Sequence, residues 1–267
     1  MLDILDKVQV NMPFRMLVER YLPLVIQKRI NPEIGIDCFA LDGYTRDDFR
    51  NVGGRLIDAG LTITFHAPFF DLRPGALDAR IRQVTVDRLK QLFDLVPYYR
   101  PEMIVCHASF DSVYYVANED LWLENSIDTW SQFIPLAEEL NTVIALENVY
   151  ERDPCMLSKL IRSFDDSDYI RVCFDTGHFN TFSKSSLGEW LDEIGSFIGE
   201  IHLHDNAGDG DKHAPVGNGT FPFHKLFRYL KDRGPHPVIT LEPHTEDHMW
   251  ETINNIKTLG LFELLDK

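Results

Sequence analysis

Residues 170–178 read Ile170-Arg171-Val172-Cys173-Phe174-Asp175-Thr176-Gly177-His178, and residues 200–206 read Glu200-Ile201-His202-Leu203-His204-Asp205-Asn206. Each opens as a short β-like run and reaches a carboxylate or an imidazole. Between them Leu187, Trp190, Leu191, Ile194 and Ile198 recur at the spacing of one helix face. The two stretches therefore compose a strand–helix–strand unit, and the same rhythm runs along the whole chain. Strand-like runs fall at 8–12, 33–39, 61–66, 103–107, 143–148, 170–175, 200–204 and 238–242. Ile81, Val84, Leu89, Leu92, Phe93 and Val96 mark another helix face, while Thr45 before Asp47-Asp48 and Thr245 before Glu246-Asp247 mark helix starts. Eight strands alternating with helices predict an α/β chain folded as a single-domain (β/α)8 TIM barrel over residues 1–267. An open, doubly wound sheet is the competing architecture, because periodicity does not show closure.

Bulk properties agree with one domain. The 267 residues match the length of an α/β barrel, and a 44% hydrophobic share supplies a sizeable core. The formal charge of −16, from 26 basic and 42 acidic residues, repels polyanions at long range. No dense Lys/Arg run offsets it, so nucleic acid is the disfavoured partner. The four cysteines, Cys38, Cys106, Cys155 and Cys173, show no CxxC spacing and read as reduced core residues of an intracellular protein. The start Met1-Leu2-Asp3-Ile4-Leu5-Asp6 lacks the pattern of a signal peptide, and no apolar run reaches the length of a membrane span. A soluble, cytoplasmic protein with no membrane partner is expected.

Strand alternation puts residues two apart on one face. On that basis His66, His107, Glu147, Asp175, His202 and Glu242 each end an otherwise apolar strand and point into the barrel. Taken singly, such a histidine is more often a hydrogen-bonded structural residue, and such a glutamate more often pairs with a Lys or Arg. Six on successive strands change the balance. A ring of carboxylates and imidazoles at the C-terminal mouth would be costly to bury uncompensated, and a divalent cation compensates it well. His178, just beyond the sixth strand, and Asp211 with His213, in the loop after the seventh, extend the cluster. His224, His236 and His248 have no such setting and read as surface or helix residues. The aromatics near strand ends, Phe69, Phe70, Phe110, Tyr114, Phe179 and Phe221, are of a kind that stacks on sugar rings. Plain packing against the barrel is the better reading for most of them.

The motifs Phe65-His66-Ala67-Pro68-Phe69, Leu146-Glu147-Asn148, Phe174-Asp175-Thr176-Gly177-His178, Ile201-His202-Leu203-His204-Asp205-Asn206, Asp211-Lys212-His213 and Leu241-Glu242-Pro243 occur in that order. In order and spacing the chain resembles the xylose-isomerase-like TIM-barrel superfamily, which holds sugar and sugar-phosphate isomerases and epimerases and the endonuclease IV type of apurinic/apyrimidinic endonuclease. The first branch implies one Zn, Mn, Mg or Co ion on Glu147, Asp175, His202 and Glu242, with Glu147 and Glu242 also exchanging a proton with substrate. The second implies up to three zinc ions. One would use His66, His107 and Glu147, the next Glu147, Asp175, His202 and Glu242, and the last His178, Asp211 and His213. The role of His204 stays open between substrate contact and support.

The acidic chain and its loops, which carry Arg73 and Lys212 beside several aspartates, favour a small sugar or sugar phosphate over a duplex. Arg73 or Lys212 is the candidate contact for a substrate phosphate. The expectation is a divalent-metal-dependent sugar or sugar-phosphate isomerase or epimerase of carbohydrate metabolism. The alternatives are a zinc phosphodiesterase attacking with a metal-bound hydroxide, a sugar-derivative dehydratase or lyase, and an idle barrel that only binds a sugar-like ligand. The resemblance also implies a homodimer or homotetramer.

Overall fold

The computed structural model describes residues 2–265. Eight parallel strands close on one another in chain order, β1-β2-β3-β4-β5-β6-β7-β8, with β1 also pairing β8. They span Gln9–Pro13, Asn31–Gly35, Thr64–His66, Met103–His107, Val143–Glu147, Ile170–Asp175, Ile198–Leu203 and Val238–Leu241. The chain is thus a closed (β/α)8 barrel, and the open-sheet alternative falls. Among the described residues no helix is long and apolar enough to cross a membrane.

Several boundaries differ from the sequence reading, each for a local reason. β2 stops at Gly35 rather than 39, because Asp37 accepts the Ala40 N–H and caps the helix Cys38–Gly43. β7 starts at Ile198, the residue read as the end of a helix face, because Ile198 pairs with Val172; the register then shifts, placing Cys173 opposite Glu200. Only Thr64–His66 of the third run pairs as β3. Thr45 builds a full capping box with Asp48, and Thr245 accepts the His248 N–H, so both helix starts stand. The helix Ala79–Phe93 buries Leu89, Leu92 and Phe93, but Ile81 and Val84 lie exposed on its other side. Val96 belongs to a separate turn, Val96–Tyr99, with a proline in its first positions.

Two apolar regions result. The large one fills the space between barrel and helices, with Trp122, Trp130, Trp190, Phe65 and Phe174 fully buried. The small one, Met103, Val105, Ala145 and Cys173 with Val143 and Val238, comes from the strand face that also carries His107, Glu147 and Asp175. It plugs the barrel below them. All four cysteines are free. Cys106 and Cys173 are buried, but Cys38 is half-buried and Cys155 is exposed at a helix start, so the core reading holds for two of them.

The helix Arg46–Asp58 approaches the Val96–Tyr99 turn closely at Gly53, where an added Cβ would lie 2.4 Å from the Tyr98 carbonyl oxygen. Gly53→Ala gains roughly 1 kcal/mol of helix propensity. It forces two backbones apart, at a cost of about 1–3 kcal/mol. A net fall in the urea midpoint is expected, and an unchanged or higher midpoint would show that the two segments part freely.

Candidate metal centre

The strand ends deliver their side chains to one mouth. His66, His107, Glu147 and Asp175 close β3 to β6, His202 is the penultimate residue of β7, and Glu242 follows β8 directly. Register keeps two neighbouring pairs level, His107 with Glu147 and Asp175 with His202, while His66 pairs with Val105 and Glu147 with Cys173, a step of two residues each time. Glu147 Oε2 lies 3.3 Å from His66 Nε2 and 3.1 Å from His107 Nε2. On the other side of the same carboxylate, His202 Nδ1 lies 3.2 Å from Glu147 Oε1, 3.2 Å from Glu242 Oε1 and 3.7 Å from Asp175 Oδ2. A third group forms around Asp211 Oδ2, which is 3.3 Å from both His178 Nε2 and His213 Nε2. All nine sequence-predicted residues therefore come together, in three groups of which two share Glu147.

Ring orientation follows from what each second nitrogen does. The Nδ1 atoms of His66, His178 and His213 lie 3.0, 3.0 and 3.1 Å from the backbone oxygens of Ala67, Asn148 and Glu242. A carbonyl only accepts, so each Nδ1 carries the proton and each Nε2 presents its lone pair to the cluster. His202 is reversed. Its Nε2 donates to Glu33 Oε2 at 3.3 Å, and Nδ1 faces the three carboxylates. His204 Nε2 donates to both oxygens of Asp175, at 3.0 and 2.9 Å, and its ring stacks on His213 with centroids 3.8 Å apart. Gly177 makes this possible, since a Cβ there would sit 2.0 Å from the His204 ring.

These residues fit a divalent cation. Ligand atoms at zinc–nitrogen distance around a tetrahedral ion stand roughly 3.3 Å apart, the separation seen in each group. Glu147 Oε2 is buried and has no hydrogen-bond partner, although two imidazole nitrogens approach within 3.3 Å. Donors that converge without hydrogen-bonding one another suit a shared ion. Charge points the same way. Burial pushes the Glu147 carboxyl up, yet the neighbouring His202 and His107 rings outweigh it and hold the group well below the usual carboxylate range. For His178, burial works against the charge, while Asp175, Asp211 and Glu147 pull the ring well above its ordinary value. Without a cation, protons on the imidazoles must neutralise the carboxylates.

The loop carrying Asp211 and His213 is tied down by Asp205. Its carboxylate accepts the backbone N–H groups of Gly217, Gly219 and Phe221 at 3.1, 2.8 and 3.1 Å, while its backbone pairs with Ala214. Below the mouth lies a layer the sequence reading missed. Glu33 and Glu200 are fully buried; Glu33 accepts from Asn11 at 2.7 Å, and Glu200 accepts from Thr240. Burial and the charge of Glu33 push the Glu200 carboxyl well above the usual range, which keeps it protonated. The signal for Glu200 was its place two residues before His202 on the same strand face. His244 was also missed; it stacks on His213 at 4.3 Å. His224 and His236 are exposed and His248 is half-buried, away from the groups. Phe110, Phe179 and Phe221 are buried packing residues, and only Phe69 and Phe70 of the six aromatics border the mouth.

A closed barrel with these donors at its C-terminal mouth defines a recognisable class. The family model described as xylose isomerase-like TIM barrel matches residues 32–259, and the chain belongs to that family. Among its relatives is the uncharacterized protein MJ1311 of Methanocaldococcus jannaschii, 30% identical over 187 residues, which are 67% of this chain and 64% of that protein. The match thus spans slightly under two thirds of that relative's length. Two of the solved structures that share the fold are of epimerase type. A D-tagatose 3-epimerase-like protein superposes with a TM-score of 0.79 at 23% identity, covering 97% of this chain and 98% of its own. D-psicose 3-epimerase, in the presence of D-fructose, gives 0.74 at 14%, covering 97% and 99%.

Behind β5, Glu151 is buried with Oε2 accepting the Val149 N–H at 2.6 Å and Oε1 without a hydrogen-bond partner. Burial pushes its carboxyl up to about 7. The folded protein then holds a proton that the unfolded chain releases, so stability falls as pH rises from the ordinary carboxylate range through about 7 and levels beyond it. Glu151→Gln keeps an oxygen for the Val149 N–H and removes this slope. Its Tm should exceed that of the wild type by about 3 °C or more at pH 8 and match it at pH 5. Thermal melts showing the same offset at both pH values would rule out a buried neutral carboxyl.

Proposed function

We propose that the protein is a divalent-metal-dependent sugar epimerase or isomerase. The observation that carries this reading is the placement of Glu147 and Glu242, each 3.2 Å from the same His202 Nδ1 but delivered by strands on different sides of the mouth. A divalent ion held by Glu147, Asp175, His202 and Glu242 would supply Lewis acidity to carbonyl and hydroxyl oxygens. The two glutamates flank the place where a polyhydroxy carbonyl compound would lie. One takes the proton from the carbon beside the carbonyl and the other holds a proton for its opposite face. Asp175 is oriented by His204, and His202 by Glu33, so the donors are held before substrate arrives. The surrounding protein buries Glu147, which keeps bulk water from exchanging the transferred proton.

One further observation favours a second reading. The outer groups, His66 with His107 and His178 with Asp211 and His213, offer donors for two more ions. A zinc phosphodiesterase would use all three. A dehydratase or lyase would use the same two glutamates, and its product would differ.

Metal per chain, measured on protein purified without chelator, separates the readings: about one ion for the epimerase or isomerase, about three zinc ions for the phosphodiesterase. With the metal-loaded protein, deuterium from solvent is expected to enter ketoses at the carbon beside the carbonyl. Glu147→Gln should slow that exchange by about a thousandfold. Exchange retained in this variant would remove Glu147 from the proposed chemistry.

A further inference from the structure

The mouth continues sideways past the carboxylates. It opens into one cavity of about 640 Å³, a volume suited to a ligand larger than a simple monosaccharide. The extension runs over β1 and is walled by Met12, Met16, Tyr21, Leu24, Ile36 and Met249. These come from β1, from the helical segment that follows it, from the end of β2 and from the helix Glu246–Thr258. Midway along this wall the chain makes a π-helical turn, Leu17–Tyr21. Such turns are rare and concentrate at functional sites. Met16 is 42% exposed at the rim, and Phe70, across the mouth, is 59% exposed. Uncovered apolar side chains beside a polar cluster are suited to an apolar ligand group, and methionine adapts its shape to one.

Apart from its imidazoles, the cavity carries charge of one sign. Among the described residues no lysine or arginine lines it, while Asp37 and Glu246 join the donor carboxylates in its wall. The cations considered as phosphate contacts are engaged elsewhere. The Arg73 guanidinium lies over the Tyr114 ring at 4.6 Å, and Lys212 Nζ is 2.6 Å from Asp209. Neither borders the cavity. A phosphate dianion in the extension would lose its water without gaining a lysine or arginine donor.

We propose that the substrate is an unphosphorylated polyhydroxy carbonyl compound bearing an apolar alkyl or aryl substituent. Its hydroxyls face the donor cluster and its substituent occupies the extension over β1. This rests on reading the cluster as a sugar-acting metal site.

The test is calorimetric titration of the metal-loaded protein with three ketoses that differ only at one end, 6-O-methyl-D-fructose, 6-O-hexyl-D-fructose and D-fructose 6-phosphate. The hexyl ether should bind at least tenfold more tightly than the methyl ether, and the phosphate ester more weakly than either. Leu24→Arg, which places a cation in the extension, should cancel the advantage of the hexyl chain. Equal affinity for the two ethers, tighter binding of the phosphate ester, or binding of neither ether would overturn the inference. The proposed reaction is read separately, by deuterium exchange into unsubstituted ketoses. Exchange without a hexyl advantage retains the reaction and rejects this subsite. A hexyl advantage lost in Leu24→Arg, but with no exchange, supports the subsite and rejects the reaction.

Discussion

A single carboxylate, Glu147, sets the terms for the rest of the mouth. It is 1% exposed, and its two oxygens face different histidine sets, His66 with His107 on one side and His202 with His178 on the other. A buried anion in such surroundings is tolerated only if positive charge stands against it from the start. Everything nearby serves that need. Imidazoles are aimed by their second nitrogens, and the further acids Asp175 and Glu242 make sense only with more positive charge than those rings carry. The site therefore fits a cation, and His66, His178, His202 and His213 are each held by a partner outside the donor set or on the backbone.

The barrel makes such a frame inexpensive to build. Neighbouring parallel strands end level or two residues apart, so one inward-facing residue from each of β3 to β8 reaches a common mouth. Depth then grades the chemistry. Met103, Val105, Ala145 and Cys173 form an apolar floor. Above them the Glu33–Glu200 pair meets the underside of His202, with Glu200 kept neutral by burial and by its neighbour. The donor ring comes next. His202 thus transmits between a layer of hydrogen-bonded acids and the ring that faces ligand, which fixes its Nδ1 toward the mouth.

Much of this was legible because a strand repeats every two residues. Alternation alone placed His66, His107, Glu147, Asp175, His202 and Glu242 on the inner face, and the structure brings them together. The helix face through Ile81 and Val84 was misjudged because apolar spacing does not reveal which stripe meets the barrel. Glu33 and Glu200 lie one layer below the strand ends, where an acid inside an apolar run carries no motif of its own. His213 and Asp211 were visible as types but not as placed groups. Their position depends on Asp205, whose carboxylate organises a loop through backbone N–H groups, an interaction with no periodic trace in sequence. The resemblance to the family, carried by short motifs, supplied what spacing could not.

The extension over β1 shows why the donor cluster alone does not define what the protein handles. Polar recognition is concentrated in one compact ring, where burial makes each interaction strong and geometrically demanding. Beyond it, methionine, leucine and isoleucine side chains offer area without direction, so they reward size and apolarity while ignoring stereochemistry. A ligand joining both regions is oriented by the first and selected by the second. The wall acids Asp37 and Glu246 sharpen that selection. With no lysine or arginine among the described residues of its wall to receive an anion, the same space that accepts an apolar group disfavours a phosphate.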